Sequence, residues 1–155
     1  MPMLLIVAGD RGRARIFSLE RETDEMLELA DLVNPVVHLH ERELSGDRQG
    51  RGFSRTHGSR VALGRSHPHK RLSSMRFARQ VAEAIEARCR QQRYLHIYLL
   101  ADPEFVGLLR PQLAAKELTG DLKIISKNIT RSDTATIRGH LPEHPWKPGL
   151  SGAGA

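Results

Sequence analysis

Tyr94-Leu95-His96-Ile97-Tyr98-Leu99-Leu100-Ala101, followed at once by Asp102-Pro103-Glu104, is the stretch that decides the fold class. The first eight residues are almost all apolar, which predicts a strand buried on both faces. The next three predict a helix start, because Asp102 can cap the helix, Pro103 suits its first turn and Glu104 lies near its positive end. A buried strand that leads directly into a helix is typical of α/β proteins.

Three more strands are predicted before this stretch. Met3 to Ala8 is apolar throughout and predicts a buried strand, Gly9 to Gly12 predicts a turn, and Arg13 to Leu19 predicts a second strand, so the pair forms a hairpin. Met26 to Val33 is interpreted as a third strand from its alternation, with a short helix as the alternative. The front of the chain is therefore predicted to be an antiparallel meander.

A helix is predicted from about Ser73 onward, with Ser73 or Ser74 as its cap. Its apolar residues recur at spacings of three and four, which places them on one face. They are Met75, Ala78, Val81, Ala82, Ile85 and Cys89. Cys89 is the only cysteine, which excludes an internal disulfide. Because it lies on the apolar face of the helix, we interpret it as a core residue. Glu86 and Arg90 are predicted to form an i, i+4 ion pair.

The remaining elements complete the back half. A second helix carries an apolar stripe of Phe105, Leu108, Leu109 and Leu113, and Lys123 to Ile129 predicts the last strand. A short helix is predicted from Ser132 to about His140, ended by Pro142. Residues 145–155 are rich in Pro, Gly, Ser and Ala and predict a disordered tail, with docking of Trp146 left open. The expected fold is one α/β domain over residues 1–144, in which a mixed sheet joins the meander to a βαβ-like half and helices pack on its faces.

Positive charge is concentrated in residues 48–79, which contain nine Lys and Arg residues and no Asp or Glu, whereas the whole chain carries only +6. The four glycines of this segment, with several serines, predict a basic loop over about residues 45–72. Like charges repel, so we interpret the cluster as a surface for a polyanion such as RNA, with a solvated loop that has no partner as the alternative. The candidate nucleic-acid-binding residues are Arg48, Arg51, Arg55, Arg60, Arg65, Lys70, Arg71, Arg76 and Arg79.

Few residues suggest catalysis. Gln49 on a glycine-rich loop could position a water molecule, and His40 with Glu41 could serve a nuclease. Five histidines between His38 and His69 raise a metal hypothesis, but their spacing matches no zinc motif, so neither a metal nor another cofactor is expected. Serine-hydrolase, P-loop and dinucleotide patterns do not occur. A binding protein is favoured over an enzyme, with a hydrolase as the alternative.

Several motifs resemble the bacterial host attachment protein family. The resemblance covers roughly residues 3 to 141 and includes the two opening strands, the start of the long helix and the second strand–helix unit. The motifs are Leu4, Ile6, Val7 and Ala8 followed by Arg13-Ala14-Arg15-Ile16-Phe17, Leu39-His40-Glu41-Arg42-Glu43-Leu44, Asp47-Arg48-x-Gly50-Arg51-x-Phe53, Arg76-Phe77-Ala78-Arg79, Leu99 to Arg110, and Asn128 to Leu141. The name of that family implies a role in contact with host cells.

That family is in turn similar to the middle domain of archaeal and eukaryotic class-I peptide release factors. The likeness implies a release-factor-like fold and an RNA, tRNA or ribosome partner. Release factors carry Gly-Gly-Gln on the corresponding loop, whereas here Gln49 follows Arg48, so peptidyl-tRNA hydrolysis stays the alternative function. No apolar run has the length of a membrane span, and residues 3–8 are too short for a signal sequence, so the expected location is the cytoplasm.

Overall fold

The computed structural model describes residues 2–39 and 55–148, and the side chains of residues 2–39 and 70–148. A five-stranded sheet with the order β3-β2-β1-β4-β5 forms the centre of the molecule. Its strands are β1 (Met3–Gly9), β2 (Arg13–Glu20), β3 (Met26–Val33), β4 (His96–Ala101) and β5 (Asp121–Ser126). The helices are α1 (residues 35–39), α2 (Arg55–Gln91), α3 (Pro103–Ala114) and α4 (Thr134–Gly139).

The sheet is mixed, as the sequence predicted. β1 and β2 pair antiparallel, as do β2 and β3, which confirms the meander and the choice of strand for Met26–Val33. β1 also pairs with β4, and β4 with β5, both in parallel. The parallel strands therefore end at one edge of the sheet, just after Gly9, Ala101 and Ser126.

One face of the sheet is covered by α2 and α3. Phe77 of α2 and Phe105 of α3 are fully buried, and their ring centroids lie 6.1 Å apart. Cys89 is buried in the same cluster, as predicted. Asp102 caps α3, because its Oδ2 accepts a hydrogen bond from the backbone N–H of Phe105 at 3.2 Å. The predicted pair of Glu86 and Arg90 is present at 3.2 Å.

The opposite face is covered by α4 and the segment that follows it. Ile137 and Leu141 pack on Phe17 and Tyr98 of the sheet. Burial raises the pKa of Tyr98, so its hydroxyl stays protonated and donates a hydrogen bond to the carbonyl oxygen of Pro145 at 2.7 Å. Trp146, whose docking the sequence left open, packs on this face.

β3 is an outer strand with an irregular edge. The β2–β3 register shifts between Ile16 and Phe17, which leaves Leu29 opposite no residue of β2. Arg88 of α2 donates a hydrogen bond to the carbonyl oxygen of Leu29 at 3.1 Å. β3 also carries Glu28 and Asp31, which form ion pairs with arginines of β2 at 2.7 Å.

Gly120 fixes the chain just before β5. Its φ of +113° is strained for any residue with a side chain. A Cβ at this position would lie only 2.5 Å from the carbonyl oxygen of Tyr94. The approach of β5 to the start of β4 therefore depends on a glycine here.

The start of the long helix was predicted wrongly. α2 begins at Arg55 and not near Ser73, so residues 55–72 of the predicted basic loop are helical, whereas residues 45–54 lie outside the described part of the chain. Met75 was expected on the apolar face but is 45% exposed, and Phe77 is buried instead. The other five residues predicted on the apolar face are buried as expected, and Phe77 joins them because its ring packs against that of Phe105.

Smaller differences affect the ends of three other elements. The predicted strands at residues 94–101 and 123–129 are shorter or shifted, since β4 begins at His96 and β5 spans Asp121–Ser126. The cap of α4 is Asp133 and not Ser132, because the Asp133 carboxylate accepts the backbone N–H of Thr136 at 2.8 Å.

Candidate functional site

Four of the nine predicted nucleic-acid-binding side chains are described, and all four lie on α2. They are Lys70, Arg71, Arg76 and Arg79. Arg55, Arg60 and Arg65 belong to the same helix, but their side chains are outside the described part. Arg48 and Arg51 lie wholly outside it. The structure thus brings the four described cations onto one continuous helix.

Arg71, Arg76 and Arg79, which spread over about 140° of the circumference of α2, form what we call the basic face. Arg71 and Arg76 are exposed, and neither forms an ion pair with another described residue. Arg79 lies 3.2 Å from Glu83, but both side chains are more than half exposed, so the pair contributes at most about 1 kcal/mol. Arg71 and Arg79 are separated by about 12 Å along the helix axis, from the rise of 1.5 Å per residue. The guanidinium groups of Arg71 and Arg76 are therefore open to an external anion, and that of Arg79 is held only by a weak, exposed pair.

A groove of about 670 Å³ between α1 and α2 borders the basic face. Val36 and Leu72 line it and are each about half exposed. Arg76 and Arg79 also line it. The basic face is therefore continuous with a partly apolar surface.

Asn34 connects the two helices to the β1–β2 turn. Its side chain is buried, and its Nδ2 donates to the carbonyl oxygen of Arg11 at 3.0 Å and to Oγ of Ser73 at 3.1 Å. Its Oδ1 accepts the backbone N–H of Val36 at 3.3 Å, which caps α1. One amide thus fixes α1, the turn and the middle of α2 relative to one another.

A second candidate site, which we call the strand-end pocket, lies where the parallel strands end. It has a volume of about 520 Å³. The residues that line it are Asp10, Arg11, Gly12, Arg13, Val37, His38, Asp102, Glu104, Asn128 and Arg131. The carboxyl ends of parallel strands are the usual place for ligands in open α/β sheets, so this pocket has the location of a binding site.

The charges of the strand-end pocket are only partly neutralised by the protein itself. Oδ1 of Asp10 accepts the backbone N–H groups of Gly12 and Arg13 at 2.8 and 2.9 Å. Arg13 makes two hydrogen bonds to Asp31, which hold the pKa of that carboxyl below its usual value. His38 and Arg131 also interact with other groups. Arg11 is exposed, and its guanidinium has no partner among the described residues.

Sequence analysis did not predict this pocket. A signal was present, because a polar residue follows each parallel strand closely: Asp10 after β1, Asp102 after β4 and Asn128 after β5. The signal becomes visible only when the three strands are known to be parallel neighbours.

The predicted catalytic candidates His40, Glu41 and Gln49 lie outside the described residues. His38 is the one member of the histidine group whose side chain is described, and it lines the strand-end pocket. Within the described ranges, no three His, Cys, Asp or Glu side chains are close enough to hold a metal ion. In the same part of the chain, no helix combines the length and the apolar character needed to cross a membrane.

Comparison with known protein families matches residues 5–141 to the family described as "Protein required for attachment to host cells". The chain belongs to this host attachment family. The match runs from β1 to the residues after α4, so the sheet, the basic face and the strand-end pocket all fall inside the host attachment domain. No curated protein and no solved structure matches the chain. The expected likeness to release-factor middle domains therefore stays a prediction.

Proposed function

We propose that this member of the host attachment family binds RNA through the basic face of α2, and that it acts in the cytoplasm on ribosomal or transfer RNA. The observation that carries the proposal is the pair of exposed guanidinium groups of Arg71 and Arg76, which have no acidic partner among the described residues. α2 contains no Asp or Glu before Glu83. A phosphate backbone would neutralise these cations and release counterions, which favours binding.

The fold supports this use of the helix. From Ser74 to Cys89, α2 is anchored in the core, so the backbone that carries Arg76 and Arg79 is held in place before any ligand arrives. A cation on a fixed backbone loses less conformational freedom on binding than one on a free segment. The part of the basic face that carries Arg76 and Arg79 is thus preorganised for a rigid array of phosphates.

Fluorescence anisotropy with labelled transfer RNA and a ribosomal RNA fragment, over a range of salt concentrations, tests the proposal. Arg71→Ala with Arg76→Ala should weaken binding and reduce the slope of log K against log [salt] by about 1.4–1.8, from about 0.7 for each contact to a single-strand phosphate and about 0.9 for each contact to a duplex phosphate. Arg93→Ala with Arg110→Ala is the matched control, since both residues are exposed and the charge change is the same. Absence of RNA binding at low salt, or equal losses in the two double variants, would refute the proposal.

Attachment to host cells is the second candidate, and the description of the family favours it. It requires the protein to reach the cell surface, so fractionation followed by immunoblotting separates the two functions. Surface exposure together with loss of host-cell binding in a deletion strain would support attachment. A protein found wholly in the cytoplasm excludes a direct adhesive role and agrees with RNA binding.

A further inference from the structure

We propose that the strand-end pocket binds a ribonucleoside 5′-phosphate, with the ribose hydroxyls donating to Asp102 and the phosphate paired with Arg11. This site is separate from the basic face. α1 lies between the two, because Val36 lines the groove beside α2 while Val37 lines the pocket. The proposal therefore does not depend on whether α2 binds RNA.

The first argument is the position of the pocket in the sheet. β1 is the strand at which the direction of pairing changes, since it is antiparallel to β2 on one side and parallel to β4 on the other. The carboxyl ends of β1, β4 and β5 open into the pocket through Asp10, Asp102 and Asn128. Nucleotides bind open α/β sheets at this edge, at the point where the strand order reverses.

The second argument is an unused acceptor on Asp102. Oδ2 of this carboxylate caps α3, whereas Oδ1 is buried and accepts no hydrogen bond within the described part of the chain. A buried carboxylate oxygen without a donor is costly. Asp102 lines the pocket, and a small rotation of its carboxylate would bring this covered oxygen within reach of a ligand hydroxyl. An acidic side chain that receives the ribose hydroxyls is the usual arrangement for nucleotides in such sheets.

The third argument is Arg11, a cation that can pair with the phosphate of the ligand. Arg11 lies in the β1–β2 turn, and its backbone carbonyl is held by Asn34 at 3.0 Å, so the turn is fixed while the guanidinium stays unpaired among the described residues. Guanidinium binds phosphate through two parallel hydrogen bonds. The turn thus presents a phosphate partner at the rim of a pocket whose wall carries the free acceptor.

The charge balance and size narrow the ligand class. Asp10, Asp102 and Glu104 oppose three arginines in the lining, so a simple polyanion would meet as many repulsive as attractive groups. A ligand with hydroxyl donors and one anionic group can bind the acidic side chains through its hydroxyls and the arginines through its anionic group. The volume of about 520 Å³ lies within the range of about 300–1,000 Å³ found for small-molecule sites, and it exceeds what a single amino acid would fill.

A ribose 2′,3′-diol with a 5′-phosphate has two sources: a free nucleotide and the 3′-terminal nucleotide of an RNA chain. Isothermal titration with adenosine 5′-monophosphate tests the first. Short RNAs that end in a 3′-hydroxyl or a 3′-phosphate test the second, and that arm alone rests on the RNA-binding proposal. Arg71→Ala with Arg76→Ala should leave binding of adenosine 5′-monophosphate unchanged, so failure at one site is distinguishable from failure at the other.

Three comparisons decide the assignment. The 2′,3′-dideoxy nucleotide should bind wild-type protein about tenfold or more weakly, because the donors to Asp102 are gone. Asp102→Asn keeps a helix cap but replaces one acceptor oxygen by a donor, so it should weaken the ribonucleotide and not the dideoxy form. Arg11→Ala should reduce the affinity for the nucleotide to that for adenosine.

Other outcomes overturn the proposal. The first is that millimolar adenosine 5′-monophosphate gives no heat of binding. The second is that the dideoxy nucleotide binds as tightly as the ribonucleotide. The third is that a zwitterionic amino acid such as glutamine binds more tightly than the nucleotide. Urea unfolding of each variant excludes a folding defect, and the comparison of the two nucleotides on wild-type protein needs no variant.

Discussion

Replacing Asn34 by Ala should lower the free energy of unfolding by about 3 kcal/mol. The side chain is buried and serves three partners: the carbonyl oxygen of Arg11 at 3.0 Å, Oγ of Ser73 at 3.1 Å and the backbone N–H of Val36 at 3.3 Å. Each hydrogen bond contributes about 0.5–1.5 kcal/mol, which gives about 2–4 kcal/mol for the three. For a domain of this size the melting temperature should fall by about 6–12 °C.

Urea unfolding followed by far-UV circular dichroism measures this loss, and the slope against urea should stay unchanged. Ser73→Ala is the control, because it removes only one of the three partners and should cost about 1 kcal/mol. In the double variant the two losses should not add, since they share one hydrogen bond. A loss below about 1 kcal/mol for Asn34→Ala would show that the amide does not hold α1, the turn and α2 together.

Four further changes are expected to have defined effects in the same urea assay. Gly120→Ala should lower the free energy of unfolding by at least about 2 kcal/mol, because φ is +113° and a Cβ would lie 2.5 Å from a backbone oxygen. A loss under about 1 kcal/mol would show that an alanine is not strained at this position. Tyr98→Phe should cost about 1 kcal/mol through its lost 2.7 Å hydrogen bond, and no change would mean that water replaces it. His96→Leu should leave the free energy of unfolding unchanged or raise it by up to about 1 kcal/mol, since neither buried ring nitrogen has a hydrogen-bond partner in the described region and the Asp121 carboxylate lies 3.9 Å from Nδ1, beyond hydrogen-bond reach. A clear loss of stability would show that this carboxylate or another group does bind the ring. Asp31→Asn should cost under about 1 kcal/mol at pH 7, because the pair with Arg13 is partly exposed. The hydrogen bonds from Arg13 lower the folded-state pKa of Asp31, so its contribution is complete above about pH 4 and is lost as pH falls through the folded value; a difference between the two proteins that does not shrink as the pH falls below about 4 contradicts this cause.

Most of the sheet could be predicted because burial leaves a local pattern. Residues 3–8 and 94–101 are apolar runs, and both contain buried strands of the sheet. The cap at Asp102 and the core position of Cys89 were likewise predictable, since each depends on neighbours within one or two helical turns. The order of elements then fixed the mixed topology.

The start of α2 could not be predicted from the same local rules. Gly58, Gly64 and Pro68 all disfavour helix, and Pro68 removes one backbone hydrogen bond, so the sequence pattern predicts a loop. The structure nevertheless continues the helix to Arg55. Local propensity is therefore a weak guide for this segment.

The strand-end pocket was missed for a different reason. Its walls come from the turn at Asp10, the cap at Asp102 and the residue Asn128, which are far apart in the chain. Nothing near any one of them marks it as part of a site. Only the parallel pairing of β1, β4 and β5 brings the three together.

The irregular outer strand β3 has a consequence for the protein in concentrated solution. A strand from another molecule that added to this edge would need a straight row of unpaired N–H and C=O groups. Here the bulge at Leu29 bends that row, and Arg88 already occupies the Leu29 carbonyl. Glu28 and Asp31 would also place carboxylates beside the incoming chain. Edge-to-edge aggregation through β3 is thus opposed by geometry and by charge.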